Sequence, residues 1–226
     1  MKLSIHHYSE VDSTQTVAKH YLIEAKAEEG TVIVADQQLS GSGRRGKSWS
    51  SPLGGLYCSL ILKPINKPVS SYSQLPFLIA VAIEKALHSL LPTLPLTLKW
   101  PNDILIDDKK VGGILIEIEE EAAVVGFGLN IDSHPVDATH LNEYFYSPLT
   151  VEDVLKPTLK MIWNTYQDWL KNGFEIIQKE WIKSAYQLGD MIERNGIKGQ
   201  FLGISEEGAM LLKDQNGKIN KITKLD

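Results

Sequence analysis

Apolar positions follow two rhythms along this chain, and the rhythms change over in blocks. Val17, Tyr21, Leu22 and Ala25 recur at helical spacing behind Asp12-Ser13-Thr14-Gln15, an N-cap followed by a glutamine able to reach back, which predicts a helix to about residue 27. The β-branched run at 31–35 and the apolar run at 55–62 read as buried strands. A loop with Gly41, Gly43, Gly46, Pro52 and Gly54 joins them. Residues 74–91 are apolar on most faces, with Pro76 tolerated in the first turn, the pattern of a buried helix beneath a sheet. Strand-like runs at 94–99, 104–106, 111–118 and 122–130 are separated by polar turns, the last being Glu119-Glu120-Glu121, and predict a mostly antiparallel meander. Thr150 and Asp153 form a capping box that opens a helix carried by Leu155, Leu159, Ile162, Trp163, Tyr166 and Trp169 to Gly173, with Pro157 in or kinking its first turn. Another helix is expected over 174–186. From Leu188 the texture changes to short β runs with tight turns at 195–196, 207–208 and 216–217. The reading is therefore an α+β body over 1–187, with a small β barrel or sheet over 188–226.

Composition narrows the function classes. A chain of 226 residues, 43% hydrophobic and 23% charged, buries a continuous core and is not mainly disordered. Its net charge of −5 excludes a general polyanion binder, so any positive site is local. Cys58 is the single cysteine, which excludes an internal disulfide and a CxxC zinc site; within an apolar strand it reads as a core residue rather than a nucleophile. No apolar stretch approaches the roughly 20 residues of a membrane helix, and the first dozen positions lack a secretory apolar run. A cytoplasmic protein with no membrane partner is expected. The histidines at 6, 7, 20, 88, 134 and 140 show no ligand spacing and are assigned nothing.

Residues 41–48 (GSGRRGKS) match both the phosphate loop GxxxxGK(S/T) and the dinucleotide fingerprint GxGxxG. Both motifs need the glycine loop to run into a helix whose free N–H groups face the phosphates. Here Trp49 and Pro52 follow and no useful helix fits before the next strand, nor is there an acidic residue near position 63 for a ribose. What remains is an anion loop: glycines that let the backbone approach a ligand, with Arg44, Arg45 and Lys47 as cations. Alone, it reads first as a solvated basic turn, and otherwise as a phosphate contact for nucleic acid.

The second block is Lys99-Trp100-Pro101-Asn102-Asp103, followed by Lys109, Lys110, Val111, Gly112 and Gly113. Asn102 and Asp103 sit at a turn before a strand, where an amide and a carboxylate meet nucleotide oxygens or a hydrated Mg2+ ion, although Asp103 is as readily a turn former. Gly112 and Gly113 give a surface without side chains, suited to a flat ligand. Trp100 reads equally as wall or core.

Taken together, residues 12–14, 38–52, 99–117 and 126–130 (GFGLN) resemble the bacterial biotin protein ligases in their short form, and the segment from about Leu188 resembles that family's SH3-like domain. The resemblance implies a mixed, mostly antiparallel sheet with flanking helices. It also implies a two-step reaction: biotin and ATP give biotinyl-5′-AMP, and a lysine of the biotin carboxyl carrier protein of acetyl-CoA carboxylase then takes the biotin. By position, Ser13, Thr14, Gln15 and Gln38 would meet biotin, the loop of Gly41, Ser42, Gly43 and Arg44 would close over it, and Trp49 would wall its hydrophobic part. Lys110, with Arg44, would carry the chemistry; Arg45, Lys47, Asn102, Gly112, Gly113 and Asn130 would lie near the nucleotide, and Asp103 near its magnesium.

Ser42 stands where the family loop has its first arginine, and Gln15 where an asparagine is usual. Because the motif at residue 12 begins so early, no helix-turn-helix domain and no nucleic-acid partner are expected; the oligomeric state is left as monomer or homodimer. The rivals are a lipoate ligase or octanoyltransferase of the same superfamily and, from another class, a non-enzymatic nucleic-acid-binding module.

Overall fold

The computed structural model describes residues 3–24, 27–64 and 66–223. The first strand, β1 (Ser4–Val11), is one that the hydrophobic pattern does not announce. It lies at a sheet edge, pairs parallel with β2 (Thr31–Gln38) and buries none of its residues, so it carries no apolar alternation to read. Between them, α1 (Thr14–Ile23) ends short of the expected residue 27, and Ala25 lies outside the described residues. Ser13 makes no side-chain capping bond. Gln15 does not reach back; it is buried, and its amide donates across the sheet to Val124 O at 3.0 Å.

The remaining strands are β3 (Gly55–Leu62), β4 (Leu96–Lys99), β5 (Asp103–Ile106), β6 (Lys109–Glu119) and β7 (Ala122–Asn130). They complete a seven-stranded mixed sheet in the order β1-β2-β3-β7-β6-β5-β4, antiparallel everywhere but the first pair. The expected meander is β4 to β7.

Period-two alternation divides the sheet's faces. On β3, Leu56, Cys58, Leu60 and Leu62 join one apolar cluster with Phe77, Leu78 and Ile79 of α2 (Leu75–Leu90), the predicted buried helix. Ile33, Ile61 and Val124 point the other way and pack with Ala18 of α1. The long helix α3 (Val151–Asn172) lies on α2 and begins at a reciprocal capping box between Thr150 and Asp153. Pro157 falls inside the helix beyond its first turn, a correction to its expected place. The next helix, α4 (Glu175–Lys183), is shorter than the 174–186 expected.

A second, four-stranded antiparallel sheet follows, with β8 (Met191–Arg194), β9 (Ile197–Ile204), β10 (Met210–Lys213) and β11 (Ile219–Ile222) in the order β11-β10-β9-β8. Asn195 and Gly196 turn its first hairpin with φ of 51° and 75°, the left-handed pair a tight hairpin needs. Phe201, Ile204, Met210 and Leu212 are continuous with the core of the larger body. Side-chain bonds tie the parts together: Trp100 Nε1 donates to Gly208 O at 3.1 Å, Gln178 Nε2 to Ile204 O at 2.6 Å, and Gln74 Nε2 to Glu206 O at 3.0 Å. Among the described residues no helix is long and apolar enough to cross a membrane.

Candidate active site

A cavity of about 460 Å³ opens on the α1 side of the large sheet. Its floor is made where β3, β6 and β7 lie side by side. Gly113 and Gly128 are cross-strand partners, and a Cβ on either would meet the Trp49 indole at 3.0 Å and 2.6 Å respectively. Trp49 thus lies flat on two bare backbone positions, and its ring carries the Lys110 ammonium 5.0 Å from its centroid.

Beside this apolar wall runs a chain of polar side chains. Gln38 Oε1 accepts from the Thr14 backbone N–H at 2.8 Å, and its Nε2 donates to Ser51 Oγ at 2.7 Å. Thr14 Oγ1 lies 2.9 Å from Ser59 Oγ, which donates to Gln15 Oε1 at 2.9 Å. Gly126 makes room for Gln15, because a Cβ there would fall 2.6 Å from Gln15 Oε1. Burial without partners would cost these groups, so the network fixes their orientation toward the cavity.

The glycine-rich segment forms a small hairpin rather than a helix-leading loop. Gly43 N–H donates to Lys47 O at 2.7 Å and Trp49 N–H to Gly41 O at 2.8 Å, while Arg45 and Gly46 take φ of 57° and 69°. Arg44 is pinned to the opposite rim through Asn102 Oδ1 at 3.4 Å. Asn102 in turn donates to Ile114 O at 2.7 Å. Among the described residues, six cationic side chains (Arg44, Arg45, Lys47, Lys99, Lys110 and Arg194) line the cavity against one carboxylate, Asp103. In a chain of net charge −5, that is a local anion-attracting field.

The structure therefore gathers Ser13, Thr14, Gln15, Gln38, Ser42, Gly43, Arg44, Arg45, Lys47, Trp49, Asn102, Asp103, Lys110 and Gly113 around one hollow. Three expected residues stay outside its lining. Gly41 lies behind the wall, where a Cβ would fall 2.4 Å from Trp49 O. Gly112 faces the core, with Leu129 Cδ2 only 2.5 Å from its missing Cβ. A bulge in the β5–β6 pairing, where Ile104 faces Gly112 but Leu105 faces Lys110, shifts the alternation so that Lys110 and Gly113 share the cavity face. Asn130 is buried outside the lining and donates to Thr139 O at 3.0 Å, bracing a loop.

Asp103 pairs with Lys110 Nζ at 2.7 Å, and it belongs to no cluster of metal-capable side chains among the described residues. These residues fit a magnesium ion only as one held chiefly by substrate phosphates, with Asp103 as a single protein contact.

The motif reading misses Tyr57, Ser59, Arg194, Asn195 and Thr223; Lys99, Leu115 and Phe127 lie in the matched stretches without an individual role. Ser59 and Tyr57 occupy the cavity-facing positions of a strand that reads as uniformly buried, so only the strand's parity signals them. Burial pushes the Tyr57 hydroxyl up to about 12, so it stays protonated and donates to Pro52 O at 2.7 Å. Cys58 points to the opposite face, and full burial pushes its thiol upward, which removes it as a nucleophile for this cavity.

A sequence model of the biotin/lipoate A/B protein ligase family matches residues 8–132, more than half of the chain and nearly all of the cavity lining. The chain belongs to that family. Within it, the chain is 34% identical to the bifunctional ligase/repressor BirA of Bacillus subtilis, over 97% of this chain and 72% of that protein. It is 32% identical to the biotin--[acetyl-CoA-carboxylase] ligase of Paracoccus denitrificans, over 82% of this chain and 85% of that protein. In three dimensions it is similar to the biotin protein ligase of Aquifex aeolicus in complex with biotin and ATP, with a TM-score of 0.85, 31% identity, and coverage of 97% of this chain and 95% of that one.

Proposed function

We infer that the chain is a biotin protein ligase that uses ATP to activate biotin and passes it to the biotin carboxyl carrier protein of acetyl-CoA carboxylase. One observation carries the reading: the lid guanidiniums and the Lys110 ammonium share a single hollow with the Thr14, Gln38 and Ser59 network. Its volume of about 460 Å³ suits a small ligand.

In the first step a biotin carboxylate oxygen bonds to the α-phosphorus of ATP, the α–β anhydride bond breaks, and pyrophosphate leaves. In the second, the carrier lysine amine attacks the acyl carbon, AMP departs, and the amine proton passes to solvent. Two anions must meet in the first step. Lys110, held between Asp103 and the Trp49 ring, is the group proposed to bridge them, and Arg44 is proposed to reach the same centre from the lid. The network of Thr14, Gln15, Gln38 and Ser59 would orient the ureido end of biotin, with Ser13 at the same rim. Ser42, Gly43 and Trp49 would cover the bicyclic part, while Arg45, Lys47, Asn102 and Gly113 would flank the nucleotide.

We extend the proposal to a domain division at 187/188, with Arg194, Asn195 and Thr223 of the small sheet closing the cavity mouth, to cytoplasmic residence, to a monomer or homodimer, and to the absence of a nucleic-acid partner. The octanoyltransferase rival needs a cysteine at the cavity, and the single cysteine faces away from it. The nucleic-acid module is disfavoured by cations that converge into a hollow rather than spread along a face.

The test is thermal stabilisation of the purified chain by biotin, increased by ATP and magnesium, followed by transfer of labelled biotin to the carrier domain. Stabilisation by lipoate or octanoate in place of biotin, or salt-sensitive binding to duplex DNA with no biotin response, contradicts it.

A further inference from the structure

The loop after β7 carries a cluster that the sequence spacing leaves unassigned. His134 Nε2 lies 3.1 Å and His140 Nε2 3.5 Å from Glu143 Oε1, the imidazoles are stacked with centroids 5.3 Å apart, and all three candidate ligand atoms lie within 4.8 Å of one another. None of the three residues lines the catalytic cavity. Only His140 and Glu143 share a helical spacing, and His134 lies outside it; the short helical turn Leu141–Glu143 carries Glu143 back to the Nε2 edges of the two rings.

Three features show that these groups are set for a cation. Each imidazole turns its other nitrogen, Nδ1, toward a backbone carbonyl: His134 toward Pro135 O at 2.6 Å and His140 toward Ile131 O at 3.2 Å. A ring nitrogen facing a carbonyl is the one that carries hydrogen, so in the neutral ring the Nε2 lone pair is left aimed at Glu143. Two lone pairs and a carboxylate oxygen converging on one point repel unless something positive lies among them. This is also the outer-shell arrangement that fixes tautomer and ring direction in histidines that bind metal. The carboxylate is steadied too, because Thr139 Oγ1 donates to Glu143 Oε2 at 2.9 Å and leaves Oε1 for the shared point. Finally, the two N···O separations, 3.1 and 3.5 Å, bracket the edge of a tetrahedron whose corners lie at zinc bonding distance, about 3.3 Å, and the ring nitrogens, within 4.8 Å of each other, would close onto an ion by a small movement of the rings.

We propose that His134, His140 and Glu143 form a binding site for a borderline-soft divalent ion of the zinc class, with three protein ligands and a fourth position open to solvent. Two imidazoles and one carboxylate suit zinc, and the nitrogens disfavour magnesium, which prefers an all-oxygen shell. The ion would also fix the loop behind the active-site lysine, because Thr139 N–H donates to Lys110 O at 3.0 Å and Asn130 holds Thr139 O.

The experiment titrates the metal-stripped full chain with Zn2+ against a chromogenic chelator, in parallel with His134→Ala, His140→Ala, Glu143→Gln and Thr139→Val, each checked for folding by circular dichroism. The expected result is one equivalent bound and not displaced by millimolar Mg2+. Each loss of a ligand should weaken binding by more than about 100-fold, and Thr139→Val, which removes only an outer contact, by about tenfold. Should His140→Ala prove unstable, the more exposed His134 supplies the same comparison. Absence of saturable binding, or an affinity in His134→Ala and Glu143→Gln equal to that of the parent chain, overturns the site.

Discussion

The two faces of the central sheet are made by the same strands and obey opposite rules. Toward α2, β3 presents Leu56, Cys58, Leu60 and Leu62, and β7 presents Val125 and Leu129, all buried in one apolar cluster. Toward the cavity the same strands present Tyr57, Ser59, Gly126 and Gly128. On the first face every side chain fills volume. On the second, side chains are withdrawn so that an indole can lie on backbone, or are polar and tied to one another. The contrast separates what holds the fold from what is proposed to do the chemistry, residue by residue along a single strand.

The sharpest way to break that separation is to exchange the rules. Gly128→Val puts a branched side chain where even a Cβ comes within 2.6 Å of Trp49, and is expected to abolish detectable biotin binding by calorimetry while the chain remains folded. Binding close to that of the parent would show that the indole does not form the wall. On the other face, Leu60→Ala should cost about 2–5 kcal/mol in denaturant unfolding and leave the turnover of the folded fraction unchanged. A specific loss of turnover at full folding would erase the distinction between the faces.

Cys58→Ser is a finer probe, because it buries a hydroxyl in an apolar cluster. It should lower stability by about 1–3 kcal/mol yet keep activity, whereas inactivity of the folded variant would return a nucleophilic cysteine to consideration.

The smallest effect is expected far from the cavity, at Glu84 of α2. Burial raises its carboxyl above the ordinary 4.5, with the bond from Ser184 opposing that shift. A raised acid binds its proton more tightly in the folded state, so its contribution is fully present below pH 4.5 and is lost as pH rises through the folded value. Glu84→Gln should therefore raise the midpoint of thermal unfolding slightly at pH 7 and converge with the parent below pH 4.5. A gain that is the same at both pH values would contradict the assigned cause.

How much of this was legible in the sequence follows from the same contrast. Elements with a packed apolar face were readable: β3, α2, the meander and the start of α3 fall where periodicity and capping put them. The edge strand β1 was not, because none of its residues is fully buried. For the candidate site, glycine and cation motifs located the lid and the lysine, but they could not give parity. Gly112 and Gly113 look alike in sequence; alternation puts them on opposite faces, and the bulge opposite Ile104 and Leu105 decides that Gly113, not Gly112, shares the cavity face with Lys110. Ser59 hides in a strand that reads as uniformly apolar. Arg194 and Thr223 reach the cavity from the second sheet, through tertiary contacts that no local pattern encodes. Asn130 was legible as a polar residue at a strand end, but its partner, Thr139 O, was not.

Pyrophosphate release by the purified chain in the presence of ATP and magnesium, with and without biotin, compared with Lys110→Ala, tests the shared hollow most directly. A charged hydrogen bond of about 1.5–3 kcal/mol at the reacting centre predicts biotin-dependent release that falls by roughly ten- to a hundredfold in the variant. Release that ignores biotin, or that proceeds at the parent rate without the Lys110 amine, would contradict the account.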